Sequence, residues 1–493
     1  MPPTVWRMAS QAADRVEDVA LRLVDAVVPR LEARRVLPVS EYHPFVRVGT
    51  DYFGDDVRGL PEHDEFEAVL TDVYEQRFGS DRPLGERQFP SKFLYSFLEA
   101  VITACSKSRE PVSANSAATR ACVQELLAAL ETNEIECCAC RYVVHLTTES
   151  GDPISCGAVE VHPLGGPRDA ESLIPQHLPR AWARVREFPF IYAPPASVVI
   201  ARRQGEDQEQ TGHAASLDIE RFLLALWLLR GATSTSGYEF QGATTSIGPY
   251  DPVLLAEPRG FIGQHKRVAV ISAADRAPIS ALTSLVDRAQ KRRSDNLIEP
   301  LAMAVHKYRR SYLYGAWYEH LADLSTALEA TLSGVAKQDV LLRLKSRAAS
   351  LLALDDDTAE KIFHDLGVLY DLRSTVVHGS ALSEKALRKK LDTLIPDPPD
   401  GMGSVGLQLD VAVDRLRDLV RRALVARMCL ADGNEPLWPL SRDGGLNVDA
   451  VLVDDELRVA WRNAWHDRLT VLGAEEAGRP AEPAISWLHD DGH

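Results

Sequence analysis

The sequence predicts an α+β N-terminal region followed by an all-α helical bundle, so that the chain is mainly α overall. Three observations carry this. Apolar residues recur at helical spacing through roughly the first 130 residues, the period changes to strand-like runs between Ile135 and His162, and from Pro278 onward the pattern is almost wholly helical. The expected organisation is an acidic α+β region over 1–275, a helical domain over 278–432 and a C-terminal extension over 433–493. At 493 residues the chain is long enough for two or three cores.

The elements follow in order. Val16, Val19, Leu23, Val24, Val27 and Leu31 mark a first helix, and FLYSFLEAVITAC carries a second apolar periodicity after a Pro/Gly/Asp-rich loop from Pro38 to Pro61. Ile135–Thr147 and Ile154–His162 are rich in β-branched residues, and the Ser150-Gly151-Asp152-Pro153 turn between them predicts a hairpin. Ser197–Arg202 and Arg267–Ile271 are expected to join the same small sheet. Helices are predicted over 278–294, 298–333, 339–353, 357–378, 383–394 and 405–431, with Pro278 suited to a first turn and IPDPPDGMG a linker. One further helix is expected from Asp454 to Leu472.

The longest apolar stretch, Phe222–Leu229, is less than half of what a bilayer crossing needs, and the N-terminus lacks the apolar core of a secretory signal. A cytoplasmic location is therefore expected, with no membrane contact. Seven cysteines without a regular framework predict reduced thiols rather than disulfides.

A net charge of −16 argues at first against nucleic acid. Its location changes that, because Leu285–Leu440 holds 22 Lys and Arg against 22 Asp and Glu, leaving the whole excess of acid on the flanks. Basic groups stand at Lys291–Arg293, Arg309–Arg310, Arg388–Lys390 and Arg421–Arg422, and each reads first as a solvated helix face. Within the run from His306 to Tyr312, Lys307, Arg309 and Arg310 could contact RNA phosphates beside Tyr308 and Tyr312, as could Arg388, Lys389 and Lys390; an amphipathic helix is the plainer explanation of the run.

One residue stands out. In KIFHDLGVLYDLRSTVVHG, Arg373 shares a helical face with Ile362, Leu366, Leu369, Tyr370, Val376 and Val377, where the bundle core should lie. A guanidinium there loses hydration worth several kcal/mol unless a carboxylate or an anionic ligand compensates. His378 follows five residues later and Gly379 next. A five-residue step turns about 140°, so the two side chains converge only through the length of Arg, unwinding at the helix end, or contributions from two chains.

LADLSTALEATL, Leu321–Leu332, and LYDLRSTVVHGS, Leu369–Ser380, resemble the Apea-like branch of the HEPN superfamily over about residues 306–391. The likeness makes Arg373 and His378 the family's Arg-x4-6-His pair, Ser374 the adjacent polar position, Tyr370 and Gly379 the framing residues, and Glu329 the acidic residue of the early helix. It implies an endoribonuclease needing no metal or other cofactor, with RNA as substrate and an active site formed where two such domains meet, as in many toxins and antiviral effectors. The residue chemistry agrees. Attack of a ribose 2′-hydroxyl on the adjacent phosphorus needs a base near neutral pKa, an acid for the leaving oxygen and positive charge beside the phosphorane. One chain supplies one such histidine, so a homodimer is expected to bring two together.

Other readings stand beside these. Arg373 could instead be a structural partner of Glu329 in a non-catalytic module that binds RNA, nucleotide or protein. Cys137, Cys138, Cys140 and Cys156, with His145 and His162, invite zinc, yet C-C-x-C lacks paired C-x2-C knuckles and alternation sends Cys137 to the opposite face, so buried strand thiols are expected and no metal. No phosphate-binding glycine loop, nucleophile elbow or H-E-x-x-H helix is present. The N-terminal region carries no motif, and a sensing or regulatory role is expected for it.

Overall fold

The structure of the protein is a computed structural model. It describes residues 7–33, 57–78, 89–131, 135–178, 195–205, 208–231, 235–245, 247, 253–256, 268–291, 300–312, 316–333, 339–377, 383–394, 405–432, 437–438 and 448–481.

Among the described residues four helices come first: α1 (Ser10–Ala33), α2 (Pro61–Phe78), α3 (Phe89–Ser108) and α4 (Ala117–Glu131). The apolar repeat of α1 meets Phe66 and Val69 of α2, Phe97 and Val101 of α3 and Val123 and Leu126 of α4 in a core of its own. Next come β1 (Ile135–Val144), β2 (Leu146–Thr148), β3 (Ile154–Cys156), β4 (Val159–Leu164), α5 (Pro167–His177), β5 (Ala196–Gly205), α6 (Gln208–Arg230), β6 (Thr235–Ala243), β7 (Val253–Ala256) and β8 (Ala269–Ile271). Six of the strands form an antiparallel sheet in the order β3-β4-β5-β1-β6-β7.

This order corrects the expected hairpin. Ile135–Thr147 does not pair with Ile154–His162, because β5 lies between β1 and β4. The tight hairpin falls inside the second segment, where Cys156 pairs with Val159 around Gly157-Ala158. Gly157 takes φ +66°, which the first position of a type II′ turn requires. The first segment also breaks at His145, whose φ of +57° ends β1. His145 N–H donates to the Pro195 carbonyl at 2.7 Å and its own carbonyl accepts from Ala269 at 2.8 Å. That link draws β8 to β2 in a separate parallel pair, so Arg267–Ile271 does not join the main sheet as expected.

Alternation assigns the faces of the main sheet. Ala139, Val143, Val161, Val199 and Ala201 pack under α6, while Cys138, Cys140, Tyr142, Val198 and Ile200 pack under Ala170, Ile174 and Leu178 on and just beyond α5. The bundle follows as α7 (Arg276–Lys291), α8 (Pro300–Arg310), α9 (Trp317–Leu332), α10 (Val340–Leu352), α11 (Ala359–Val377), α12 (Glu384–Leu394), α13 (Val405–Ala431), α14 (Val448–Val453) and α15 (Asp455–Val471). The helix expected over 298–333 is thus two, parted between Arg310 and Trp317. The boundaries expected near Asp275 and Asp432 are crossed by one continuous apolar core running from the sheet through α6 into the bundle and on to Trp461, Trp465, Leu469 and Ala477. Trp227 of α6 stacks on Tyr312 just after α8 at 4.3 Å, and accepts a hydrogen bond from Tyr308 on its carbonyl at 3.2 Å. No helix among the described residues is long and apolar enough to cross a membrane.

Arg421 and Arg422, expected on a solvated face, are 1% and 0% exposed. Their helix, α13, places guanidiniums against the ends of four others. Arg421 donates to the carbonyls of Leu228 (3.0 Å) and Leu229 (3.3 Å) at the end of α6, Arg417 to Ser311 (2.8 Å) beyond α8, Arg427 to Ala330 (2.9 Å) and Thr331 in α9, and Arg422 to Leu352 (3.1 Å) in α10. The last carbonyls of a helix lack intrahelical donors and carry its negative partial charge, which is why cations settle there. Carboxylates balance the charge: Asp418 accepts from Arg421 at 2.7 Å and Arg422 at 3.0 Å, Asp357 from Arg415 at 2.7 Å and from Arg422, and Asp365 from Arg415 at 2.9 Å.

Arg422→Ala is expected to leave Asp357 and Asp418 short of a buried cation, costing about 3–5 kcal/mol, read as a lower urea midpoint. Asp432, just past α13, accepts from Arg288 at 2.9 Å and Arg468 at 2.5 Å, and chiefly the Arg288 bonds hold its carboxyl down at about 2. A depressed carboxyl stabilises above its unfolded value of 3.8 and loses that contribution as pH falls toward 2. Asp432→Asn should therefore lower the thermal midpoint at neutral pH, by the equivalent of about 2 kcal/mol, and flatten its fall between pH 4 and 2.

Candidate functional site

The sequence-predicted residues gather at the C-terminal half of α11. Ile362, Asp365, Leu366, Leu369 and Leu372 are its buried residues. By angle Arg373 belongs to this stripe, as expected, but burial fades along the axis. Arg373, Ser374, Thr375 and Val376 are half-buried and Val377 is 50% exposed. The guanidinium therefore stands where the bundle interior opens to solvent rather than deep within it.

Its surroundings are specific. The Arg373 guanidinium carbon lies 5.4 Å from the centre of the Tyr370 ring, a cation–π distance, and Arg373 Nε is buried without a hydrogen-bond partner among the described residues. The Tyr370 hydroxyl donates to Glu329 Oε1 from α9. Burial, and then this carboxylate, push the phenol up to about 12, so it keeps its proton at neutral pH and remains a donor. Among the described residues no ion pair joins Arg373 to Glu329. The structural Arg–Glu pair expected as the alternative is thus replaced by a Tyr370–Glu329 hydrogen bond with the guanidinium beside it. His378 and Gly379 lie outside the described residues; His378 follows the last residue of α11 directly.

The basic candidates divide. Lys390 of α12 bonds Asp371, two residues from Arg373, so α12 brings one further cation to this end of α11; Arg388 bonds Glu384 at 3.4 Å and Lys389 is exposed. Lys307 and Arg310 share Asp323 at 2.7 and 3.1 Å, and Arg309 pairs with Glu220 at 2.6 Å. Tyr308 and Tyr312 are buried, and burial pushes both hydroxyls up, that of Tyr312 to about 12. Those two rings are core and are not open for stacking on bases.

All seven cysteines are buried thiols, none of them in a disulfide. Cys138 and Cys140 touch at 3.6 Å between sulfurs on the α5 face, whereas Cys156 belongs to the core on the other face. Among the described residues, no group of three His, Cys, Asp or Glu side chains is placed to hold a metal ion. Sequence reasoning missed that His162 and Arg202 both meet His177 and Glu160. The signal was available in Glu160, His162 and Arg202, which share a face by strand alternation, but it required the pairing of β4 with β5.

The chain matches no protein-family model, no curated protein and no solved structure.

Tyr370→Phe removes the donor to Glu329. It should lower stability by about 1–3 kcal/mol and reduce the tyrosinate absorbance that develops near pH 12. An unchanged alkaline titration would show that this phenol is not held by the carboxylate.

Proposed function

We propose that the protein is a metal-independent endoribonuclease of the HEPN type, acting as a homodimer in the cytoplasm. The observation that supports this best is the Arg373 guanidinium, partly open to solvent and without a carboxylate partner among the described residues, next to the helix end from which His378 follows. An unneutralised planar fork at the mouth of an apolar bundle suits the non-bridging oxygens of a phosphodiester.

In this reading the ribose 2′-hydroxyl attacks phosphorus and gives its proton to one His378 imidazole. Arg373 stabilises the charge of the phosphorane, and His378 of the partner subunit gives a proton to the departing 5′-oxygen. The products are a 2′,3′-cyclic phosphate and a free 5′-hydroxyl. Tyr370 acts as a positioning residue, engaging Glu329 so that it does not neutralise Arg373, and exposed Lys389 adds positive charge on α12, where Lys390 is paired with Asp371. The acidic N-terminal region supplies regulation, as a sensor or a partner-binding module, and a toxin or antiviral effector is the role such a nuclease would serve.

Purified protein incubated with end-labelled tRNA in EDTA should yield fragments ending in cyclic phosphate. His378→Ala should reduce the rate roughly 10²–10⁴-fold and Arg373→Ala roughly 10²–10³-fold, with circular dichroism unchanged and growth toxicity lost. Unaltered cleavage by both variants would remove the site assignment, and a strictly monomeric active species in light scattering would remove the shared site.

A further inference from the structure

The face of the main sheet covered by α5 carries a second group of titratable side chains, far along the chain from Arg373. Glu160 and His162 come from β4, Arg202 from β5 and His177 from the last turn of α5. His162 Nε2 lies 3.1 Å from Glu160 Oε2, Arg202 Nη1 3.3 Å from Glu160 Oε1, and Arg202 Nη2 2.6 Å from His177 Nδ1. The two imidazole rings stand 5.7 Å apart, centre to centre.

Donor and acceptor chemistry fixes the protons. A guanidinium only donates, so His177 Nδ1 accepts, and the hydrogen of this neutral ring is on Nε2. An ionised carboxylate only accepts, so His162 presents its Nε2 hydrogen to Glu160 and keeps Nδ1 for another group. The bond from His162 holds the Glu160 carboxyl below its ordinary range, in keeping with an ionised group. Among the described residues, each imidazole thus has one nitrogen committed inside the cluster and one left over. With a hydrogen-bond reach of about 2.6–3.2 Å on each side, rings at this separation can both touch a single bound group.

The charge balance identifies that group. Arg202 and Glu160 cancel, and the two imidazoles are the remaining titratable members. Burial, then Arg202 and His162, push the His177 ring down, so protonating it needs a counter-charge that the cluster lacks. Beneath, β1 places Glu136, Cys138, Cys140 and Tyr142 on this face; the Glu136 carboxylate accepts from the Thr244 hydroxyl at 2.9 Å, and burial pushes the Cys140 thiol up, so that thiol supplies no anion. Protonation of both rings, that of His177 at Nδ1 breaking its bond to Arg202 Nη2 and freeing that guanidinium hydrogen for the ligand, gives +2, which a phosphate dianion matches. The second phosphate ionisation near 6 lies beside that of imidazole, so anion and rings can share protons across one pH range. The site is reachable, since the side chains of Glu160, His162 and Arg202 are 39%, 16% and 34% exposed.

We propose that Glu160, His162, His177 and Arg202 form a phosphate-binding site on the sheet. His162 and His177 hold the phosphate oxygens from two sides, the spare guanidinium hydrogens of Arg202 bind from a third, and Glu160 orients both His162 and Arg202. This site does not rest on the ribonuclease reading.

Full-length protein labelled with carbon-13 histidine is followed by NMR through roughly pH 5 to 8, with and without inorganic phosphate, in the wild type, Arg202→Gln and His177→Asn. Bound phosphate favours the charged rings, so the midpoints of both His162 and His177 should rise by about one pH unit, saturably with phosphate. In folded Arg202→Gln, checked by its thermal melt, both rises should shrink at least several-fold. Should that variant not fold, His177→Asn tests the same point by abolishing the rise at His162. Midpoints indifferent to phosphate, or an equal rise in a folded variant, would overturn the proposal. Adenosine 5′-monophosphate distinguishes the source: saturation at lower concentration than inorganic phosphate means a phosphate carried on a larger molecule, and equal concentrations mean the free ion.

Discussion

A row of guanidiniums on α13 is the interaction on which the helical half depends. Packing helices with their ends inside a core exposes C-terminal carbonyls to a medium without water, and each such group left unpaired is costly. Here one helix answers for α6, α8, α9 and α10 at once, through Arg421, Arg417, Arg427 and Arg422. Arginine suits the task because it remains charged and its fork reaches several acceptors: Arg421 alone meets carbonyls of Leu228, Leu229 and Ala477 together with the Asp418 carboxylate. The carboxylates of Asp357, Asp365 and Asp418 then hold the forks in register, which gives these buried charges a geometric function even where their net contribution to stability is small.

The second organising feature is α6, a helix apolar on most sides because it has structure on most sides. The sheet lies against one flank and α7, α8 and α13 approach the other, and Trp227, Leu226 and Leu229 are all buried. An ionic link runs the same way, from Glu239 on β6 through Arg141 on β1 and Glu220 on α6 to Arg309 on α8. The strand-bearing region and the bundle thus share a wall and a chain of charges.

Much of this was legible from residue order, and the exceptions have physical causes. Helix ends in the bundle fall close to their expected places because Pro278, Gly334, Asp355–Asp357 and the IPDPPDGMG segment interrupt helical periodicity locally. Sheet order was not legible, since β5 reaches its place between β1 and β4 from more than thirty residues beyond β4, a long-range choice to which no local pattern testifies. Arg421 and Arg422 read as solvent-facing because adjacent arginines usually are, and their burial depends on carbonyls and carboxylates drawn from four other elements. At the candidate site the angular position of Arg373 followed from the 3.6-residue period, whereas its depth did not: periodicity reports direction around an axis and says nothing about where along it the neighbouring helices stop covering it.

The wall formed by α6 limits how the chain can be divided. A fragment starting at Pro278 would carry α7, α8 and α13 away from the surface that covers them, baring Tyr308 and Tyr312 and leaving Arg421 without the Leu228 and Leu229 carbonyls. Such an excised bundle would be sticky and poorly folded. Any change of shape at the strands also has a rigid element to push against, so the strand-bearing region is built as a mechanical part of the bundle and not as cargo tethered to it.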